Sequence, residues 1–105
     1  MMKESRVQDI TSRIQSEETL IIFGYAPICA NCQIAERMLD VVAELRNFSY
    51  ASIDLNYQKD FIETYEIRST PALLLFKNGE LTKEIYAFQS VPYLTEVMDE
   101  FLVDE

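Results

Sequence analysis

Histidine is absent from this chain of 105 residues, and cysteine occurs only twice. Without imidazole the commonest general base and the commonest metal ligand are both missing, so any chemistry must run on other groups. Basic residues are also few. Nine Lys and Arg stand against eighteen Asp and Glu, a net charge of -9 that is densest in the tail EVMDEFLVDE. That balance disfavours nucleic acid and anionic membrane surfaces as partners. No apolar run approaches the roughly 18 residues that a bilayer span requires, and MMKESRVQDI lacks the apolar core of a secretory signal. Repeats, linkers and low-complexity tracts are missing too. The expectation is a cytoplasmic protein that enters no membrane, and in that reducing setting two cysteines point to reactivity or metal binding rather than to a structural bond.

What is present suffices for one core. A composition 49% hydrophobic over 105 residues predicts a single domain spanning residues 1–105. Val7, Ile10 and Ile14 recur at helical spacing and predict a first helix ending near Glu17 to Thr19. LIIFGYA is too short for a buried helix and rich in β-branched and aromatic residues, so it reads as a central strand covered on both faces. From Cys29 to about Arg46, Ile34, Met38, Val41 and Leu45 form one apolar helical face, widened by Ala35, Leu39 and Val42. FSYASIDL alternates as a second strand. A short helix carrying Phe61, Ile62 and Tyr65 follows, with Asn56 as its expected cap. This βαβα order favours a parallel pair joined by a crossover. PALLLFK and ELTKEIYAF flank Asn78-Gly79, the dipeptide suited to a two-residue antiparallel hairpin. Ser90 and Pro92 open a last helix with an apolar stripe at Leu94, Val97, Met98, Phe101 and Leu102 and an acidic outer face.

The two cysteines stand three apart in YAPICANCQIAERM, where the strand pattern gives way to the helix pattern. At a helix start, unpaired backbone N–H groups and the positive end of the helix dipole favour a thiolate at Cys29. One turn later Cys32 lies on the same face, more buried and placed to attack a mixed disulfide formed through Cys29. Three other readings compete. A structural staple closing so short a loop gains only roughly 2 kcal/mol. Zinc normally takes four ligands, and the chain holds no other Cys and no His, so carboxylates or a second copy would have to complete the set. Two thiols packed as small hydrophobes are the third.

Together with YEIRSTPALLLFKNGE, the Cys-x-x-Cys segment resembles the thioredoxin family across nearly the whole chain. The resemblance implies an α/β thioredoxin-like fold, a central mixed four-stranded sheet flanked by helices on both faces; helix-type patterning from near Ser5 leaves out the extra N-terminal strand of longer thioredoxins. It implies that Thr70 precedes a cis Pro71 lying against the active-site cysteines, Cys29 attacking and Cys32 resolving. Tyr25, Ile28, Thr70, Pro71 and Ala87 would border a groove for an extended peptide, bonded through the backbone of Thr70. No cofactor or metal is implied.

Departures from the family's Trp-Cys-Gly-Pro-Cys are visible at Ile28, Ala30 and Asn31. The buried aspartate of the family is matched by Phe23, the lysine that accompanies it by Tyr50, the loop glycine by Ala87 and the helix-kinking proline by Arg37, which predicts a straighter helix. The activity expected is thiol–disulfide exchange with oxidised thiol proteins or small disulfides, a thioredoxin reductase or a thiol pool serving as reductant. The alternative is a thioredoxin-fold binding or adaptor module with weak or no redox activity.

Overall fold

Alternation decides the architecture. Along β3, Ala72–Lys77, the residues Leu73 and Leu75 point to one side while Ala72, Leu74 and Phe76 point to the other, and all five are buried. A strand buried on both sides must lie inside a sheet covered twice. This computed structural model describes residues 7–103, with side chains from Ile10 onward. In it β3 pairs antiparallel with β1, Thr19–Tyr25, and the two form the middle of a four-stranded sheet ordered β2-β1-β3-β4. β2, Ala51–Asp54, runs parallel to β1 as the βαβ pattern requires. β4, Glu80–Ile85, returns from β3 through Asn78 (φ 54°) and Gly79 (φ 85°), the left-handed pair that Asn-Gly tolerates. The edge strands are weaker than the sequence pattern suggests. β2 covers only part of FSYASIDL, and β4 stops at Ile85 rather than reaching Phe88.

Two apolar clusters sandwich the sheet. One joins α2, Ala30–Arg46, and α4, Val91–Leu102, to Ile21, Phe23, Leu73, Leu75 and Ile85. The other joins α1, Val7–Ser16, and α3, Lys59–Tyr65, to Leu20, Ile22, Ile53, Leu74 and Phe76. Ile10 and Ile14 supply the buried stripe of α1; the side chain of Val7 lies outside the described residues. α4 starts as expected, the Ser90 hydroxyl accepting a hydrogen bond from the Tyr93 N–H at 3.2 Å with Pro92 in the first turn. The start of α3 differs. Asn56 lies in a 3-10 turn, Leu55–Tyr57, where its N–H donates to the Asp54 side chain at 3.0 Å, and Gln58 occupies the cap position.

The face assigned to α2 needs correction. Cys32, Ala35, Leu39 and Val42 are buried, whereas Ile34, Val41 and Leu45 are 56%, 45% and 58% exposed. Small Cys32 and Ala35 at the front of the helix share the cluster of Phe23 and Leu73 from the sheet, and Met38 packs against its margin, partly buried. The bulky stripe is turned aside. Helix α2 is unbroken for 17 residues, and no helix among the described residues is long and apolar enough to cross a membrane.

Candidate active site

Topology brings the cysteines and the Thr-Pro loop together. β1 delivers the chain to the start of α2, and because β3 runs antiparallel to β1 with Gly24 opposite Ala72, the residues just before β3 meet those just after β1. Gly24 packs under the 3-10 turn on its other side, where a Cβ would stand 2.7 Å from Leu55 Cδ1 and that side chain would have to shift. Thr70 and Cys29, separated by 41 positions, become neighbours.

Cys29 caps α2 in extended conformation (φ -156°, ψ 95°), and its carbonyl accepts from the Cys32 N–H at 3.1 Å. No side chain caps this helix start and no acidic residue occupies its first turn. The positive end of the helix is therefore left to the sulfur. Cys29 and Cys32 are bonded to each other, their Cα atoms 5.3 Å apart. Cys29 is partly exposed while Cys32 is 5% exposed, so the first cysteine is the one open to solvent. The Thr70 hydroxyl donates to Cys29 Sγ at 3.7 Å, within hydrogen-bond reach for sulfur. The Thr70-Pro71 peptide bond is cis. Among the described residues no cluster of three or more Cys, Asp or Glu side chains is arranged to hold a metal ion.

The remaining expected residues are only partly assembled around the sulfurs. Pro71 and Ala87 line an open groove of about 200 Å³ together with Asn31, Ile34, Met38 and Phe88. Thr70 borders a separate depression on the other side of the loop, with Ala26, Arg68 and Ser69. Ile28 enters neither; at 97% exposure it projects into solvent beside Cys29. Tyr25 stacks on Phe23 with ring centroids 6.4 Å apart. Sequence patterning misses Ile34 and Met38 as groove walls, because their helical spacing reads as core. It also misses Arg68, whose guanidinium lies 4.8 Å above the Tyr86 ring while the Arg68 backbone N–H donates to Tyr86 Oη at 3.2 Å. Tyr86 in turn donates to Glu84 at 2.7 Å, and burial followed by that bond raises its pKa above the usual phenol value. This pairing ties the end of β4 to the Thr-Pro loop.

Beneath Cys32 the site is aromatic. Phe23, 1% exposed, meets Tyr50 and Phe88 edge to face at centroid distances of 6.2 and 5.9 Å. Polar atoms nearby join the flank of α2 to the start of β2. Tyr50 Oη donates within reach of both Glu36 Oε2 (2.9 Å) and Asp40 Oδ1 (2.6 Å), and buried Ser52 donates to Glu36 Oε2 at 3.5 Å. Burial, then the bonds to Asp40 and Glu36, push the Tyr50 phenol well above its ordinary range.

Comparison with known proteins agrees with this geometry. Residues 2–100 match the family model described as Thioredoxin. The thioredoxin-like protein YusE of Bacillus subtilis is 39% identical over 83 residues, 78% of each chain. A thioredoxin of Chlamydia pneumoniae is 28% identical over 100 residues, 94% of this chain and 97% of that one. The solution structure of the oxidised thioredoxin from Plasmodium falciparum superposes with a TM-score of 0.82 at 16% identity, covering 98% of this chain and all (100%) of the other.

Proposed function

The chain belongs to the thioredoxin family, and from that premise we propose that it acts as one thiol–disulfide oxidoreductase domain, exchanging disulfides with protein or low-molecular-weight thiols through Cys29 and Cys32. The observation that carries the reading is the Cys29–Cys32 bond at an uncapped helix start, its exposed sulfur met by the Thr70 hydroxyl. In the reduced protein the Cys29 thiolate attacks a substrate disulfide, releasing one substrate thiolate and leaving a mixed disulfide. The Cys32 thiolate then attacks Cys29 Sγ, the bond to substrate breaks, and the second substrate thiol departs. Two electrons pass from the dithiol to the substrate, and two protons follow. Oxidised thiol proteins or small disulfides are the substrates, and a thioredoxin reductase or a thiol pool returns the electrons. An extended peptide lies along Pro71, Ala87 and Ile34 with its backbone against Thr70, and exposed Ile28 and Tyr25 supply apolar contact in place of an indole.

Cys32→Ser tests the reading. The variant should accumulate a mixed disulfide through Cys29 with oxidised glutathione or a disulfide-bearing peptide, seen as a mass increase removed by dithiothreitol, and Cys29→Ser should form none. No adduct with any disulfide would sink it. The exposed Ile28 beside a lined groove favours a second reading, a binding module whose sulfurs are dispensable. Partners that remain bound to a variant with both cysteines replaced by serine favour that reading over the enzyme.

A further inference from the structure

The exchange proposed above requires Cys32 to lose a proton while shut away from water, and the surroundings of that sulfur say where the proton goes. Cys32 shares its cluster with Phe23, Phe88, Leu73 and Ala35, none of which accepts a proton from a thiol. Glu36 lies four residues further along α2, one turn away on the adjoining strip of the helix. Side chains so spaced have Cβ atoms about 5–6 Å apart. Because helical side chains lean toward the N-terminus, a glutamate at that position extends over the turn that carries Cys32.

Glu36 is also held there. It is half-buried, and its Oε2 accepts from Tyr50 Oη, just before β2, at 2.9 Å and from Ser52 Oγ of β2 at 3.5 Å. Ser52 stands opposite Phe23 in the parallel register, so this grip sits beside the aromatic floor of the site. Ser52 is the only polar residue buried among those described. The elevated phenol pKa keeps Tyr50 a hydrogen-bond donor throughout the working pH range. Titratable groups that face the carboxylate include Tyr50, just before β2, and, through it, Asp40 from α2 itself, while β1 turns Phe23 and Tyr25 toward the cluster.

We propose that Glu36, oriented by Tyr50 and Ser52, is the base that takes the proton of Cys32 as it resolves the mixed disulfide. This rests on the dithiol reading. The Cys32 S–H bond breaks, its proton passes to the Glu36 carboxylate directly or through one water, and the thiolate displaces the substrate sulfur from Cys29. The substrate thiolate leaves and is protonated, and the Glu36 proton returns to solvent. Electron flow is that of ordinary exchange, two electrons to the substrate disulfide. Glu36 enters as a base, and Tyr50 and Ser52 as positioning residues.

An aromatic disulfide with a coloured thiolate, dithiobis-nitrobenzoate, separates the steps. With only two thiols in the chain, the first colour release reports attack by Cys29 and the second reports resolution by Cys32. In the full chain, reduced beforehand, Glu36→Gln should slow the second release relative to the first by about a hundredfold near neutral pH, the lower end of what a general base contributes. The gap should narrow as pH passes the free-thiol value of about 8.5, where hydroxide supplies the deprotonation. Tyr50→Phe should slow the second release less, in the same direction. Glu44→Gln, an exposed carboxylate on the same helix, controls for loss of charge and should behave as the parent. A folded Glu36→Gln protein whose second release matches the parent at every pH overturns the relay and leaves the dithiol reading standing. So does an equal slowing of both releases without pH dependence, since that marks a structural role. No release from the parent protein removes the dithiol reading and the relay with it.

Discussion

The two sulfurs are three residues apart and live in different surroundings. Cys29 stands at a helix end with open solvent, free backbone N–H groups and one hydroxyl, that of Thr70. Cys32 is enclosed by rings and branched aliphatics, and the polar atoms nearest along the chain join the flank of its own helix at Glu36 to Tyr50 and Ser52. Identical groups thereby meet different physics. The first environment favours a charged sulfur at the surface, as the proposed attack on substrate requires; the second penalises charge, so that ionisation there needs a partner. The difference comes from position on a helix relative to a sheet, not from the cysteines.

That contrast breaks most severely at the aromatic floor. Phe23→Ala removes a ring that is 1% exposed and packs on three others, and should cost about 3–5 kcal/mol of unfolding free energy by denaturant titration. Gly24→Ala places a methyl 2.7 Å from Leu55 and should cost about 1–3 kcal/mol, with looser packing of the Leu55–Tyr57 turn on strand β1. On the open side the effects are chemical and smaller. Thr70→Val deletes the hydroxyl that meets Cys29, and should raise that thiol's pKa by roughly half to one unit, about 1 kcal/mol, as read by pH-dependent alkylation. Global stability should barely change.

The smallest effect concerns pH. The Tyr50 phenol is raised in the folded protein above its ordinary 10.0, so the folded state holds a proton that the unfolded state gives up once pH exceeds that value. Its contribution is complete below pH 10 and is lost as pH climbs beyond it. Stability should fall from that point upward, and Tyr50→Phe should make the alkaline decline shallower; Tyr86, raised in the same direction, supplies part of what remains.

Much of this was legible from local rules. The Asn78-Gly79 hairpin, the Ser90 cap and the strand-then-helix junction at Cys29 depend on backbone torsions and nearest neighbours, and each appears where the residues place it. Helix α2 was legible in extent but not in orientation. Its sequence carries two overlapping apolar stripes, and hydrophobic spacing ranks the larger one, Ile34-Met38-Val41-Leu45, as core. The sheet reverses that ranking, because Phe23 and Leu73 share their cluster with small Cys32 and Ala35 at the front of the helix. The displaced stripe instead begins a wall of the groove at Ile34 and Met38.

By itself, then, the sequence determined the order of elements, the dithiol at a helix start and the family to which the chain belongs, since these rest on short-range torsional preference and on motif spacing. Tertiary structure alone decided which stripe of α2 is buried, that Thr70 reaches Cys29 across 41 positions, and that Glu36 is gripped by Tyr50 and Ser52 beside an apolar floor. These depend on strand register and on the volumes meeting between sheet and helix. A one-residue slip in register would turn Ser52 to the other face and leave the carboxylate unheld.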